Sequence, residues 1–141
     1  MRVMMMIKGD REPGHLPSEG FLAQMGKYNE ELSKAGVLLD LAALHWSAEG
    51  VRVKFSSGKR TVIDGPFGEP KEIVAGYWIL QVKSMDEAIE WAKRLPFEAG
   101  GEPEAEGEIE IRQLFEPDEF GESPAVERGR QLEREPPKKK A

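Results

Sequence analysis

The chain opens with a run that is apolar at both parities: Val3, Met5 and Ile7 alternate with Met4 and Met6 between Arg2 and Lys8. That pattern predicts a strand, Arg2 to Lys8, covered on both faces. From Ser18 to Ala35 the period changes. Phe21, Met25, Tyr28, Leu32 and Ala35 recur at four- and three-residue steps, the single stripe of an amphipathic helix, and Gly36 is placed to end it. Val37 to Trp46 is a second apolar stretch, which Val51 to Phe55 is expected to extend or to pair with across Ser47-Ala48-Glu49-Gly50. Ser56-Ser57-Gly58-Lys59 reads as a tight turn leading to a strand over Arg60 to Asp64. Ile73 to Val82, rich in β-branched and aromatic residues, is the most strand-like segment. Ser84-Met85-Asp86-Glu87 has the spacing of a capping box. The helix behind it is expected to bury Met85, Ala88, Ile89, Ala92 and Leu95, with Pro96 just past its end. Phe97 to Gly107 reads as a Gly/Pro/Glu-rich loop, and Glu108 to Leu114 alternates as a last, half-exposed strand.

The order β-α-β-β-α-β, with one additional strand pair in the middle, is that of an α+β ferredoxin-like fold with an antiparallel sheet. Residues 1–116 are expected to form this domain. Residues 117–141 are dominated by proline, glycine and mixed charge, and are expected to form a polar C-terminal tail with little fold of its own. The strand faces carry a further implication. Ala75, Tyr77 and Ile79 lie on one face of their strand, and Trp78, Leu80 and Val82 on the other. Two helices in this fold cover one side of the sheet only. The opposite apolar side predicts an interaction surface, most simply met by a second copy around a two-fold axis.

Composition narrows the function classes. The chain has 141 residues and no cysteine, which excludes disulfides, a thiol nucleophile and thiolate-bound metal, and fits a cytoplasmic location. The net charge of −6 argues against direct binding to nucleic acid, since a phosphate backbone needs a basic surface. The N-terminal apolar run, stopped by Lys8, is too short for a signal segment or a membrane span.

Asp64-Gly65-Pro66-Phe67, followed by Glu69, Lys71-Glu72 and Gly76-Tyr77, resembles the "DGPF" branch of the YCII-related family. Ala35-Gly36-Val37 and Asp86-Glu87-Ala88 extend the resemblance over about Arg2 to Phe115. It implies a dimeric α/β barrel built from ferredoxin-like subunits. The wider superfamily includes muconolactone-isomerase-like lyases and cofactor-independent monooxygenases, and some members of the family occur with sigma factors of RNA polymerase. The better-known YCII branch has a suspected catalytic histidine in the first helix with an aspartate partner. Met25 stands where that histidine would fall, so the dyad does not carry over.

Candidate site residues gather around this motif, each with a structural reading beside the functional one. Asp64 reads as a turn carboxylate accepting the Phe67 N–H, or as a general base at the sheet edge. Lys71 reads as a solvated loop charge or an anion contact, and Glu69 and Glu72 as solvated acids or ligand contacts. Phe67 is a loop plug or a stacking surface. Tyr77 and Trp78 point to opposite faces, one to the helices and one away from them. His45 closes the second strand and is a candidate ligand contact or lone general base, and His15 lies in a Pro/Gly loop. Neither belongs to a metal-binding spacing, and no GxGxxG or P-loop occurs, so neither metal nor cofactor is expected. Two functions remain open. One is a cofactor-independent enzyme or ligand-binding protein with a small-molecule site near the Asp64–Phe67 loop. The other is a non-catalytic dimeric regulatory or protein-interaction module, linked to transcription.

Overall fold

A computed structural model describes residues 1–97 and 107–135. Its strands and helices follow in the order β1 (Arg2–Lys8), α1 (Glu19–Lys34), β2 (Leu38–Ala43), β3 (Val51–Ser56), β4 (Lys59–Asp64), β5 (Val74–Gln81), α2 (Met85–Lys93), β6 (Glu108–Gln113) and α3 (Pro124–Arg134). Four strands form an antiparallel sheet in the order β2-β5-β1-β6, and β3 and β4 form a separate two-stranded sheet. Without that hairpin, the elements are a ferredoxin-like β-α-β-β-α-β unit.

Local signals set the element ends. The Ser18 hydroxyl accepts the Phe21 N–H at the start of α1, and Gly36 follows its end with φ +74°. Left-handed backbone of this kind costs glycine nothing. The Ser84 hydroxyl accepts the Glu87 N–H, while the Glu87 carboxylate reaches back to the Lys83 N–H. Ser57 and Gly58, both at positive φ, make the two-residue turn between β3 and β4.

The core lies between one sheet face and the two helices. Val3 and Met5 of β1, Trp78 and Leu80 of β5, Tyr28 and Leu32 of α1 and Ala88 of α2 are buried there, together with Val37, Val82 and Leu95. Trp78 is fixed here from two sides: its indole N–H donates to Asn29, and its ring meets Tyr28 edge-on. The Tyr28 hydroxyl in turn donates to the Trp91 carbonyl, and burial pushes that phenol well above its ordinary pKa. The opposite sheet face follows from the register. Met4 stands between Ile79 and Arg112, and Met6 between Tyr77 and Glu110. Asp40 and Ala42 of β2 continue the same rows beside Ile79 and Tyr77.

Three expectations need correction. Val51 to Phe55 neither extends β2 nor pairs with it. A 3-10 turn at Ser47–Glu49 separates the two, β4 is the partner of β3, and β2 pairs with β5. The segment after Pro117 is not without fold, since a 3-10 turn at Pro117–Phe120 leads into α3. Ser123 caps α3 and Pro124 occupies its first turn, where a missing N–H costs nothing. Ile89 lies on the outer side of α2 rather than in the core. The expected loop after α2 falls, apart from Phe97 and Gly107, outside the described residues.

Candidate functional site

The loops that carry the candidate residues meet at one end of the main sheet, where β1 and β2 finish and β5 begins. Their joint is Ser47. Its backbone N–H donates to the Asp10 carboxylate at 2.9 Å, its hydroxyl makes a second, short bond to the same carboxylate, and its Oγ accepts the Phe67 N–H at 3.2 Å. Desolvation favours the protonated acid, but the Ser47 hydroxyl and the Ser47 and Arg11 N–H groups outweigh it, holding Asp10 below the usual carboxylate range. Gly65 lies directly against this joint. A Cβ there would stand 1.7 Å from the Ser47 carbonyl oxygen, so the loop closes only because position 65 has no side chain. The Gly65 N–H donates to Gly50, which ties the root of the β3–β4 hairpin. The Gly65–Pro66 peptide is cis.

The expected Asp64–Phe67 hydrogen bond is not formed, because Ser47 takes the Phe67 N–H. Asp64 is exposed at the end of β4, opposite Val51, and its carboxylate makes no hydrogen bond among the described residues. Phe67 is half-buried. One edge of its ring faces Gly50, and the Arg52 guanidinium stacks over its face at 4.0 Å, so the surface expected to receive a ligand already holds a cation. Glu69, Lys71 and Glu72 are exposed around a 3-10 turn at Pro70–Glu72, and no salt bridge joins them among the described residues. No side-chain hydrogen bond joins any two of them among the described residues. His45 is exposed and pairs with Glu49 at 2.5 Å. The neighbouring Trp46 indole donates to the His15 carbonyl.

Tyr77 and Trp78 divide as alternation demands. Trp78 belongs to the core. Tyr77 is half-buried on the open sheet face beside Met6 and Ala42. In the β1 row beyond Met6 stands Lys8, nearly buried and 3.4 Å from Glu110 on β6. Met4, Met6, Tyr77 and Ile79 thus form an apolar strip with Asp40 along one side, and Arg112 and the Lys8–Glu110 pair along the other. Among the described residues no three His, Asp or Glu side chains are grouped as metal ligands would be.

Sequence reasoning missed Asp10 and Ser47, which lie 37 residues apart and share no motif. The available signal was indirect: a small polar residue in a turn, and a glycine-proline step that needs a close backbone neighbour.

The model of the YCII-related domain matches residues 1–117. This chain belongs to the YCII-related domain family. The matched residues include the whole four-stranded sheet and the inserted hairpin, and stop at the turn that leads into α3. A relative, the "Uncharacterized protein R00369" of Rhizobium meliloti (strain 1021), is 29% identical over 96 residues, which cover 68% of this chain and 74% of that protein. No helix among the described residues is long and apolar enough to cross a membrane.

Proposed function

We propose that this protein is a homodimeric, cofactor-independent small-molecule-binding protein whose ligand lies between the open sheet faces of two subunits. The observation that carries this reading is the strip of Met4, Met6, Tyr77 and Ile79 on the face opposite α1 and α2. An apolar strip edged by a few charges is the usual lining of a small-molecule site, and a second sheet would supply its roof. Tyr77 provides a hydroxyl on the strip, and Lys8 and Arg112 suit it to an organic acid. The Asp64–Phe67 loop, with Lys71, Glu69, Glu72 and His45, forms the rim in this reading, and Asp64 is the candidate acid–base group there. A place in the DGPF branch and a cytoplasmic location belong to the same reading.

A metabolite screen by thermal shift tests it, run in parallel on wild type, Tyr77→Ala and Asp64→Asn. Organic acids that raise the melting temperature of wild type and of Asp64→Asn, but not of Tyr77→Ala, support a site on the open face. A response lost in Asp64→Asn and kept in Tyr77→Ala would move the site to the loop. The absence of any response would overturn the reading.

The second reading, a non-catalytic regulatory or interaction module, is favoured by the lack of any side-chain hydrogen bond or salt bridge among Asp64, Glu69, Lys71 and Glu72. It predicts stable capture of a protein partner by wild type, unchanged by Tyr77→Ala.

A further inference from the structure

The β3–β4 hairpin departs from the rules that govern the rest of the chain. Val51, Val53, Phe55 and Val62 share one face of it, with Phe55 opposite Arg60 and Val53 opposite Val62. No described residue covers that face: Phe55, Val62 and Val51 are 68%, 66% and 61% exposed. An isolated two-stranded hairpin is marginally stable in water, and aromatic and β-branched residues on one of its faces call for a packing partner. The hairpin is also basic on an acidic chain. It carries Arg52, Lys54, Lys59 and Arg60 against the one acid Asp64.

A second segment has the complementary character. Phe115 to Ser123 contains Glu116, Asp118, Glu119 and Glu122 and no basic residue. Phe115 and Phe120 stack with their centroids 5.0 Å apart, yet both rings remain uncovered, 67% and 65% exposed. The two surfaces belong to opposite ends of the sheet. The hairpin is rooted where β1 ends, through the contacts of Gly65 with Gly50 and Ser47 and of Ser47 with Asp10. The acidic segment leaves where β1 begins, with the Leu114 N–H on the Arg2 carbonyl and Glu116 clamped by the Arg2 guanidinium. The length of β1, about 23 Å for seven residues at roughly 3.3 Å each, lies between them. A two-fold axis perpendicular to the strands reverses a second copy end for end, and brings the root of each hairpin to the far end of its partner.

We infer that the β3–β4 hairpin is an arm that clasps a second copy of this chain, laying Val51, Val53, Phe55 and Val62 on the partner's Phe115–Phe120 aromatic pair. Arg60, which shares that face opposite Phe55, then meets the partner's Glu116, Asp118, Glu119 and Glu122. The contact is made twice in each dimer, since each copy gives an arm and receives one. It lies beyond the open sheet face and stands independently of any ligand there. Phe120 and most of the acids that receive the arm fall outside the residues matched by the family model, so this clasp is a feature of the chain's own C-terminal extension.

The absence of native cysteine makes the test direct. The full chain carrying both Phe55→Cys and Phe120→Cys is oxidised under mild conditions and run on a non-reducing gel. A covalent dimer that disappears on reduction is expected, with far less from either single variant. Equal cross-linking by one variant alone, or a cross-link within one chain, would overturn the arrangement. Sedimentation of uncross-linked full chains supplies the second measurement. Arg60→Glu should raise the dimer dissociation constant by about fivefold to tenfold, because two exposed charge contacts are lost per dimer. Adding Glu122→Lys should return it toward the wild-type value. A monomeric wild type at micromolar concentration overturns the inference, as does a dimer indifferent to Arg60→Glu or one weakened further by Glu122→Lys. A dimer that fails only these arm tests leaves the open-face reading intact.

Discussion

Gly65 and Ser47 illustrate how one backbone position sets a whole loop. The Ser47 carbonyl occupies the space where a Cβ on residue 65 would go, 1.7 Å away. Gly65→Ala should therefore displace the loop and cost about 2 kcal/mol or more, since the obstructing atom is backbone. Chemical denaturation would measure it, and a cost below about 0.5 kcal/mol, the range of ordinary surface changes, would contradict the packing. Asp10 makes a second prediction, on pH. Its carboxyl is held below its ordinary value in the folded chain, so the unfolded chain binds the proton more readily. The stability it supplies is complete above about pH 5 and is lost as pH falls through about 4 and toward the lower folded value. Asp10→Asn should lower the melting temperature at pH 7 and narrow the gap to wild type at pH 3.5. An equal gap at both pH values would remove the charge from the account. Asp64→Asn, at an exposed carboxylate with no described partner, should change stability by less than about 0.5 kcal/mol. None of this was legible in the motif itself. Asp64 looked like the turn acid because sequence shows neighbours, whereas the N–H of Phe67 is satisfied by a residue twenty positions away.

Elements with local signals were readable, and those that depend on distant partners were not. The Ser84 cap, the stop at Gly36 and the Ser57–Gly58 turn each act within a few residues, and each falls where the sequence puts it. The pairing of β3 is different: an apolar strand after a turn can join either neighbour, and only the 3-10 turn at Ser47–Glu49 steers it away from β2. The helix α3 was obscured by composition. Val126 and Leu132 are its few large apolar residues, and Gly129 weakens its helical preference. Two ion pairs join it to the rest of the chain, Arg130 with Asp118 and Arg2 with Glu133 at 3.6 Å, and Arg130 also pairs with Glu127 within the helix. Exposed pairs of this kind are screened by water and contribute little to stability. Removing residues after Phe120 should thus leave the melting temperature of the domain within about 2–4 °C of the full chain at equal dimer occupancy. A fall much beyond that, seen by calorimetry, would show α3 to be part of the folding unit.

At the scale of the whole molecule, the sheet has two apolar faces, and α1 and α2 cover one of them. Leu80 and Met4 distinguish those faces. Leu80 is fully buried against the helices, whereas Met4 is half-exposed on the open side. Aspartate at either position places a charge on an apolar surface, yet the consequences should differ. In Leu80→Asp the carboxylate has no partner within the core, and burying it without one costs about 4 kcal/mol or more, enough to unfold a domain of ordinary stability. In Met4→Asp the new carboxylate stands opposite Arg112 on β6, so a single subunit can hold it as a cross-strand ion pair in water. What it cannot readily do is enter an interface, where both symmetry copies would be desolvated together. Met4→Asp should therefore keep the circular-dichroism spectrum and a cooperative melt while sedimenting as a monomer, and Leu80→Asp should lose the fold or aggregate. If Met4→Asp remains a dimer of wild-type affinity, the open face is not where the copies meet. The arms would then be the whole of the interface, and the ligand would have to be sought at the loop end of a single sheet.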